Sequence, residues 1–156
     1  MTVAGKSLTV TPDRRQVAIR TDAVHVVFTS IDETLRAVRI GGRLAKALGV
    51  SLTLVEARIV PGVLAVNAPT GLSSPETDVC MDRIHDAGRA AGVDVRVRVY
   101  LCRHVGHVVP LAFKPHSLIV IAGQRSWWPT RTERWRRSLE AAGHFVVFVD
   151  DAEPGS

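Results

Sequence analysis

The sequence predicts an α/β fold, one parallel sheet with helices on both of its faces. Three observations carry this reading. First, strand-length apolar runs alternate with helix-length amphipathic segments over residues 23–150, in the order β-α-β-α-β-α-β-α-β. Such alternation calls for a parallel, doubly covered sheet with right-handed crossovers. Second, residues 118–122 (LIVIA) are apolar without interruption and end at Gly123, as expected of a strand buried on both faces. Third, this run is followed by a well-marked helix and another strand. Thr130 with Glu133 three residues on forms a capping box, Trp135, Leu139 and Ala142 share one helical face, and Gly143 is a helix stop. Residues 145–149 (FVVFV) then form the last strand. The loop after residue 123 therefore lies at the carboxyl edge of the sheet, where open α/β folds bind ligands.

The other elements follow from local signals. Residues 1–22 stand apart: SLTV and QVAIR alternate around a TPDR turn, which reads as a hairpin or a terminal arm. Residues 24–29 (VHVVFT) form the first core strand. Ser30 and Glu33 make a second capping box for a helix running to about Leu48 and stopped by Gly49. Leu35, Val38, Gly42 and Ala45 fall near one stripe of it, as do Leu44 and Leu48. Gly41 and Gly42 are unfavourable in a helix, so close packing is expected there. Residues 51–60 form the second strand, and residues 61–74, rich in Pro, Gly, Ser and Asn, form a loop with enough apolar residues to fold over something. Ser74 and Pro75 open the next helix, to about Gly92, with Cys80, Met81 and Ile84 on its packed face. Residues 93–101 alternate valine with Asp94, Arg96, Arg98 and Tyr100, so this strand has one wet face and lies at or near an edge. Residues 104–114 form a short helix broken or kinked at Pro110. Residues 151–156 form a polar tail.

Composition limits the function classes. At 156 residues, 46% hydrophobic and 22% charged, the chain fits one globular domain with a sizeable core. No apolar run approaches the ~20 residues of a membrane helix, and the first sixteen residues lack the apolar core of a secretory leader. Membrane insertion is not expected. Cys80 and Cys102 are the only cysteines, no disulfide framework, so a reducing cytoplasm is expected. Net charge is +5, and all but three of the 20 basic residues (Lys6, Lys46 and Lys114) are arginine. That balance permits anionic partners, but no nucleic-acid motif accompanies it and nucleic acid is not expected.

Strand VHVVFT, helix LRAVRIGGRLAKALG, strand SLTLVEA, strand GVDVRVRV, and SLIVIAG closing on EAAGHFVVFVD resemble the universal stress protein family over residues 24–150. The segments AKALGVSLTLVEA and HSLIVIAG carry the resemblance best. It implies a Rossmann-like, adenine nucleotide alpha hydrolase-like sheet of five parallel strands in the order 3-2-1-4-5. It also implies a homodimer formed through the last strand and a stress-response or regulatory role without catalysis, with a protein partner as an added possibility. Some members of the family bind ATP. They carry an acidic residue after the first strand and a loop of form G-x2-G-x9-G-[ST] after the fourth, where glycines let the backbone approach phosphate at a helix start.

This chain departs from that pattern. Gly123 matches the first glycine, but Ser126 stands at the second, and the final pair falls on Thr132 and Glu133. Glu133 adds negative charge where phosphates would sit. The acidic position after the first strand falls on Thr29, and the adenine-contacting position near Ala57. ATP binding of the family kind is therefore not expected, and the nucleotide site reads as degenerate. An altered pocket for a nucleotide or another small anion would use Thr29, Ser30, Ala57, Gly123, Arg125, Thr130 and Thr132. Trp127 and Trp128, between Arg125 and Arg131, fit two roles. They can stack a base beside an arginine, or they can plug the shortened loop and pack on a partner copy; packing is the favoured reading. A dimer interface would involve Phe145, Val147, Val149, Trp127 and Trp128, since an apolar edge strand needs cover. His104 and His107 have a spacing that two metal ligands can use, but no third ligand is evident, so no metal is assigned. Arg134, Arg136 and Arg137 read as a solvated helix face, and Cys80 as buried apolar packing. No catalytic set can be argued from spacing.

Overall fold

Five of the apolar runs become five parallel strands. The computed structural model describes residues 21–60, 75–124 and 130–150. The strands are β1 (Ala23–Val27), β2 (Ser51–Ile59), β3 (Val95–Cys102), β4 (Leu118–Gly123) and β5 (Phe145–Asp150). They form one sheet in the order β3-β2-β1-β4-β5, every pairing parallel. Helices α1 (Ile31–Leu48) and α2 (Pro75–Ala90) connect β1 to β2 and β2 to β3. A 3-10 turn (Val105–His107) and the short α3 (Val109–Ala112) lead into β4, and α4 (Arg131–Ala141) joins β4 to β5. Residues 1–20, the loop 61–74, Arg125, Trp127, Trp128 and the tail lie outside the described residues.

The core divides by side-chain parity, because successive strand residues face opposite sides. Val24 and Val26 of β1, Leu52 and Leu54 of β2, and Leu118, Val120 and Ala122 of β4 pack under α1 and α2. Val27, Val55, Ile119 and Ile121 face the other way, against Trp135 and Leu139 of α4 and Val108, Val109 and Phe113 around α3. All six residues of β4 are buried, as its unbroken apolar run requires.

Both helix starts behave as the capping signals demand. The Ser30 Oγ accepts from the Glu33 amide at 3.3 Å, and the Thr130 Oγ1 from that of Glu133 at 3.2 Å, each satisfying an otherwise orphaned donor. The Gly41–Gly42 pair lies against the sheet and α2: a Cβ on Gly41 would meet Val26 Cγ2 at 2.9 Å, and one on Gly42 would meet Ala91 Cβ at 2.7 Å. That close approach, not helix propensity, accounts for the two glycines.

Some details differ from the pattern. β1 ends at Val27 instead of Thr29, because the chain turns there toward the cap at Ser30. Leu48, in the last turn at the margin of the stripe, is exposed. Ala142 is also exposed; α4 ends at Ala141 and Ala142 is its C-cap. Pro110 lies in the first turn of α3, where its missing N–H is harmless, so it starts a helix instead of breaking one. Cys80 is half-buried and stands outside both core clusters, which take Met81, Ile84 and Ala87 from its helix.

Candidate functional site

The strand order reverses between β1 and β4: the chain proceeds from β1 to β2 on one side and from β4 to β5 on the other. The helices that leave these two strands go to opposite faces, and a crevice opens at the carboxyl edge between them, the general ligand position of such sheets. Thr29 closes part of that edge. Its Oγ1 donates to the Ala122 carbonyl at 3.3 Å and its amide donates to Thr34 Oγ1 at 3.1 Å, tying the end of β1 to the end of β4.

Gly123 is explained by the neighbouring helix. A Cβ there would lie 2.4 Å from the Thr132 Cγ2, and Thr132 itself is buried. The glycine lets the first turn of α4 come down onto the strand end, and Thr132 fills the space above it. Glu133 is buried as well. Its carboxylate accepts from Arg136 Nε at 3.3 Å and Nη2 at 2.9 Å, so its charge is balanced within the helix and suits the positive N-terminal end. The Arg136 guanidinium also stands 5.8 Å from the Phe148 ring centroid, which couples α4 to β5.

The main hollow at this edge has a volume of about 690 Å³ and lies on the α4 side. Its walls come from Phe28, the end of β2, the turn after β3, and the first turns of α4. Four arginines line it, Arg58, Arg103, Arg131 and Arg134, together with His104. Arg58 is held by Glu56 through two bonds of 3.2 and 3.4 Å, and Glu56 is the only carboxylate in the lining among the described residues. Arg131 reaches across from α4 and donates through Nη2 to the Ala57 carbonyl. Ala57 is almost wholly buried, so only its backbone oxygen is offered here, and an arginine already uses it. Burial pushes the nearby Cys102 thiol up, with Arg131 pulling the other way. This environment keeps the thiol protonated and argues against a thiolate nucleophile.

A second hollow of about 540 Å³ sits on the α1 side, lined by Ser30, Asp32, Arg36, Arg39, Arg83 and Gln124, among others. Ser30 and Ala57 thus face different hollows, while Thr29, Gly123 and Thr132 form the packed partition between β1, β4 and α4. Thr130 remains exposed as the α4 cap. Arg125, Trp127 and Trp128 lie outside the described residues. Phe145 is partly exposed, whereas Val147 and Val149 pack against the α1-side cluster of their own sheet. His104 and His107 meet edge-on with ring centroids 5.2 Å apart. No group of three or more His, Cys, Asp or Glu among the described residues is placed to hold a metal.

Nothing in the sequence pattern singles out Arg58 or Arg103, and the arginine-rich face of α4 points to solvent for Arg134, which instead lines this hollow. The available signal was position: each follows or ends a strand, or opens a helix, at the same edge of the sheet. Fold and site together define an open α/β domain with a cationic crevice at its switch point. The fold is that of the universal stress proteins. One solved universal stress protein, in complex with cAMP, aligns with TM-score 0.59 and 20% identity, over 82% of this chain and 95% of that one. A universal stress protein from Archaeoglobus fulgidus aligns with TM-score 0.58 and 17% identity, over 82% and 93%. A structure of the Archaeoglobus fulgidus protein in complex with dAMP gives TM-score 0.54 and 18% identity, over 85% and 99%. No family model and no curated protein matches the sequence. No helix among the described residues is long and apolar enough to cross a membrane.

Proposed function

We propose that this protein is a non-enzymatic, universal-stress-like regulatory binder. Its carboxyl-edge crevice takes a small anion of the nucleoside monophosphate class, and ATP is not held in a glycine cradle. One observation carries the reading: a hollow of about 690 Å³ at the switch point, walled among the described residues by four arginines and one carboxylate. Guanidinium forks match phosphate oxygens in pairs. The cAMP and dAMP complexes of proteins with this fold support the ligand class. Thr132 packed on Gly123 and the buried Glu133 support the loss of the triphosphate cradle.

Calorimetric titration with AMP, cAMP, dAMP and ATP tests this. A monophosphate should bind saturably, no weaker than ATP, and Arg134→Ala should weaken it about tenfold or more, the scale of one charge-assisted hydrogen bond. Arg134 is exposed, so the variant leaves the core alone. No heat with any of the four nucleotides at millimolar concentration would remove the ligand. The reading includes a homodimer through β5, whose outer edge has no partner strand among the described residues and invites pairing. Sedimentation at the mass of one 16.9 kDa chain would remove that part. A protein partner and a cytoplasmic setting complete the proposal.

A further inference from the structure

The same face of the sheet changes character at its other end. Register places His25 of β1 beside Thr53 of β2, and Thr53 beside Arg96 of β3. By parity this row lies on the face that carries Val27, Val55 and Ile121 farther along, with Ile119 of β4 on the other side of His25 in the same row. A parallel sheet covered on both faces is ordinarily apolar throughout; here its amino-terminal third is polar across three strands. The reason for the opening is that α3 is only four residues long and cannot roof the strands that a full crossover helix would cover.

The result is a hollow of about 610 Å³ whose floor is His25, Thr53, Arg96 and Arg98, with Phe113 on its wall and Lys114 at its rim. Arg96 and Arg98 are two apart on one strand face, so their side chains leave the sheet about 7 Å apart. Neither has an ion-pair partner among the described residues. Among the described residues the one carboxylate in the lining, Asp22, is engaged by Lys114 at 2.9 Å. The His25 ring is braced edge-on by Phe113, with centroids 5.2 Å apart, and its Nδ1 is buried without a hydrogen-bond partner among the described residues.

We propose that this hollow is a second ligand site, separate from the carboxyl-edge crevice, for a small phosphomonoester dianion. Two adjacent guanidinium forks match the several oxygens of a doubly charged phosphate. The Thr53 hydroxyl and the imidazole add neutral hydrogen-bonding groups, and Pro110, Leu111 and Phe113 offer an apolar wall to the organic part. Burial, helped by Arg98 and His144, holds the His25 imidazole down at about 4. The ring is therefore neutral near pH 7 and free to accept or donate.

Phenyl phosphate titrated into the full chain, followed through the histidine side-chain NMR signals, tests the site. His25 and His116, both lining this hollow, should shift saturably with a millimolar or tighter constant, whatever His104 of the other crevice does. The double variant Arg96→Gln/Arg98→Gln should bind at least about tenfold more weakly. Both residues are exposed on an edge strand, and an unchanged melting temperature would show the fold intact. Shifts at His104 alone, no shift at His25, or undiminished binding by the double variant would overturn the proposal. Equal affinity for benzenesulfonate, a monoanion, would overturn the assignment to a dianion.

Discussion

The two faces of the sheet are built on different terms. Under α1 and α2 the contact is backbone-close: a Cβ on Gly41, Gly42 or Gly88 would come within 3.0 Å of a neighbouring side chain, and apolar strand residues, among them Val24, Val26, Leu52, Leu54 and Val120, pack beneath. Under α3 and α4 a large side chain does the filling. Trp135 is fully buried with Leu139 over the middle of the sheet, and hollows remain at both ends of that face. The difference shows what a crossover's length and residue size decide. Long helices with small residues seal a face. A four-residue helix and one bulky aromatic seal only its centre and leave room for ligands at the rims.

That contrast can be tested where it should be strongest. Trp135→Ala should cost about 3–5 kcal/mol of unfolding free energy, nearer the low end because the buried indole N–H has no partner among the described residues and its removal relieves an unpaired donor. Urea denaturation would measure it. A loss below about 1 kcal/mol would mean that this face is already loosely filled.

The next effect depends on pH. The folded His25 sits at about 4, below its unfolded value near 6.5, so the fold prefers the neutral ring. Its contribution is complete above about pH 6.5 and is lost as pH falls from there through about 4, on the order of 3 kcal/mol in all. Unfolding free energy against pH should therefore fall more steeply in the natural protein than in His25→Leu over that window. Parallel curves would place the ring in water and weaken the distinction between the polar and apolar parts of its face.

The smallest effect probes the sealed face. In Gly88→Ala the new Cβ would stand 2.3 Å from Val95 Cγ2 and 3.2 Å from the Val93 carbonyl oxygen. Overpacking of this kind costs roughly 1–3 kcal/mol, and the helix-propensity gain of about 1 kcal/mol offsets part of it. A net loss near 1 kcal/mol in the same urea assay is expected. A net gain would show that α2 is free to ride outward and that the contact is not tight.

Much of the fold was legible because its signals are local. Ser30 with Glu33 and Thr130 with Glu133 marked the helix starts that the structure contains, and the alternating residues of β3 marked an edge strand. The glycine pair 41–42 announced close packing, and it occurs. Less of the site was legible. Arg58, Arg103, Arg131 and Arg134 come from three separate elements, and nothing in their sequence spacing says that they converge. Arg134 and Arg136 look alike in a helix, yet one lines a crevice and the other is spent on Glu133 and Glu140. His25 in an apolar strand gave no hint that Thr53 and Arg96 would stand in line with it.

The sequence by itself determined the alternation of elements, the parity of each strand and the ends of the helices with capping signals. These depend on residues within a few positions of one another, through hydrogen bonds and side-chain direction. Tertiary structure alone decided which charges meet, which carbonyl Arg131 engages, and which stretch of sheet α3 leaves open. Those outcomes depend on strand register and crossover length, which bring together residues as far apart as Ala57 and Arg131 and give each side chain its surroundings only after the chain has folded.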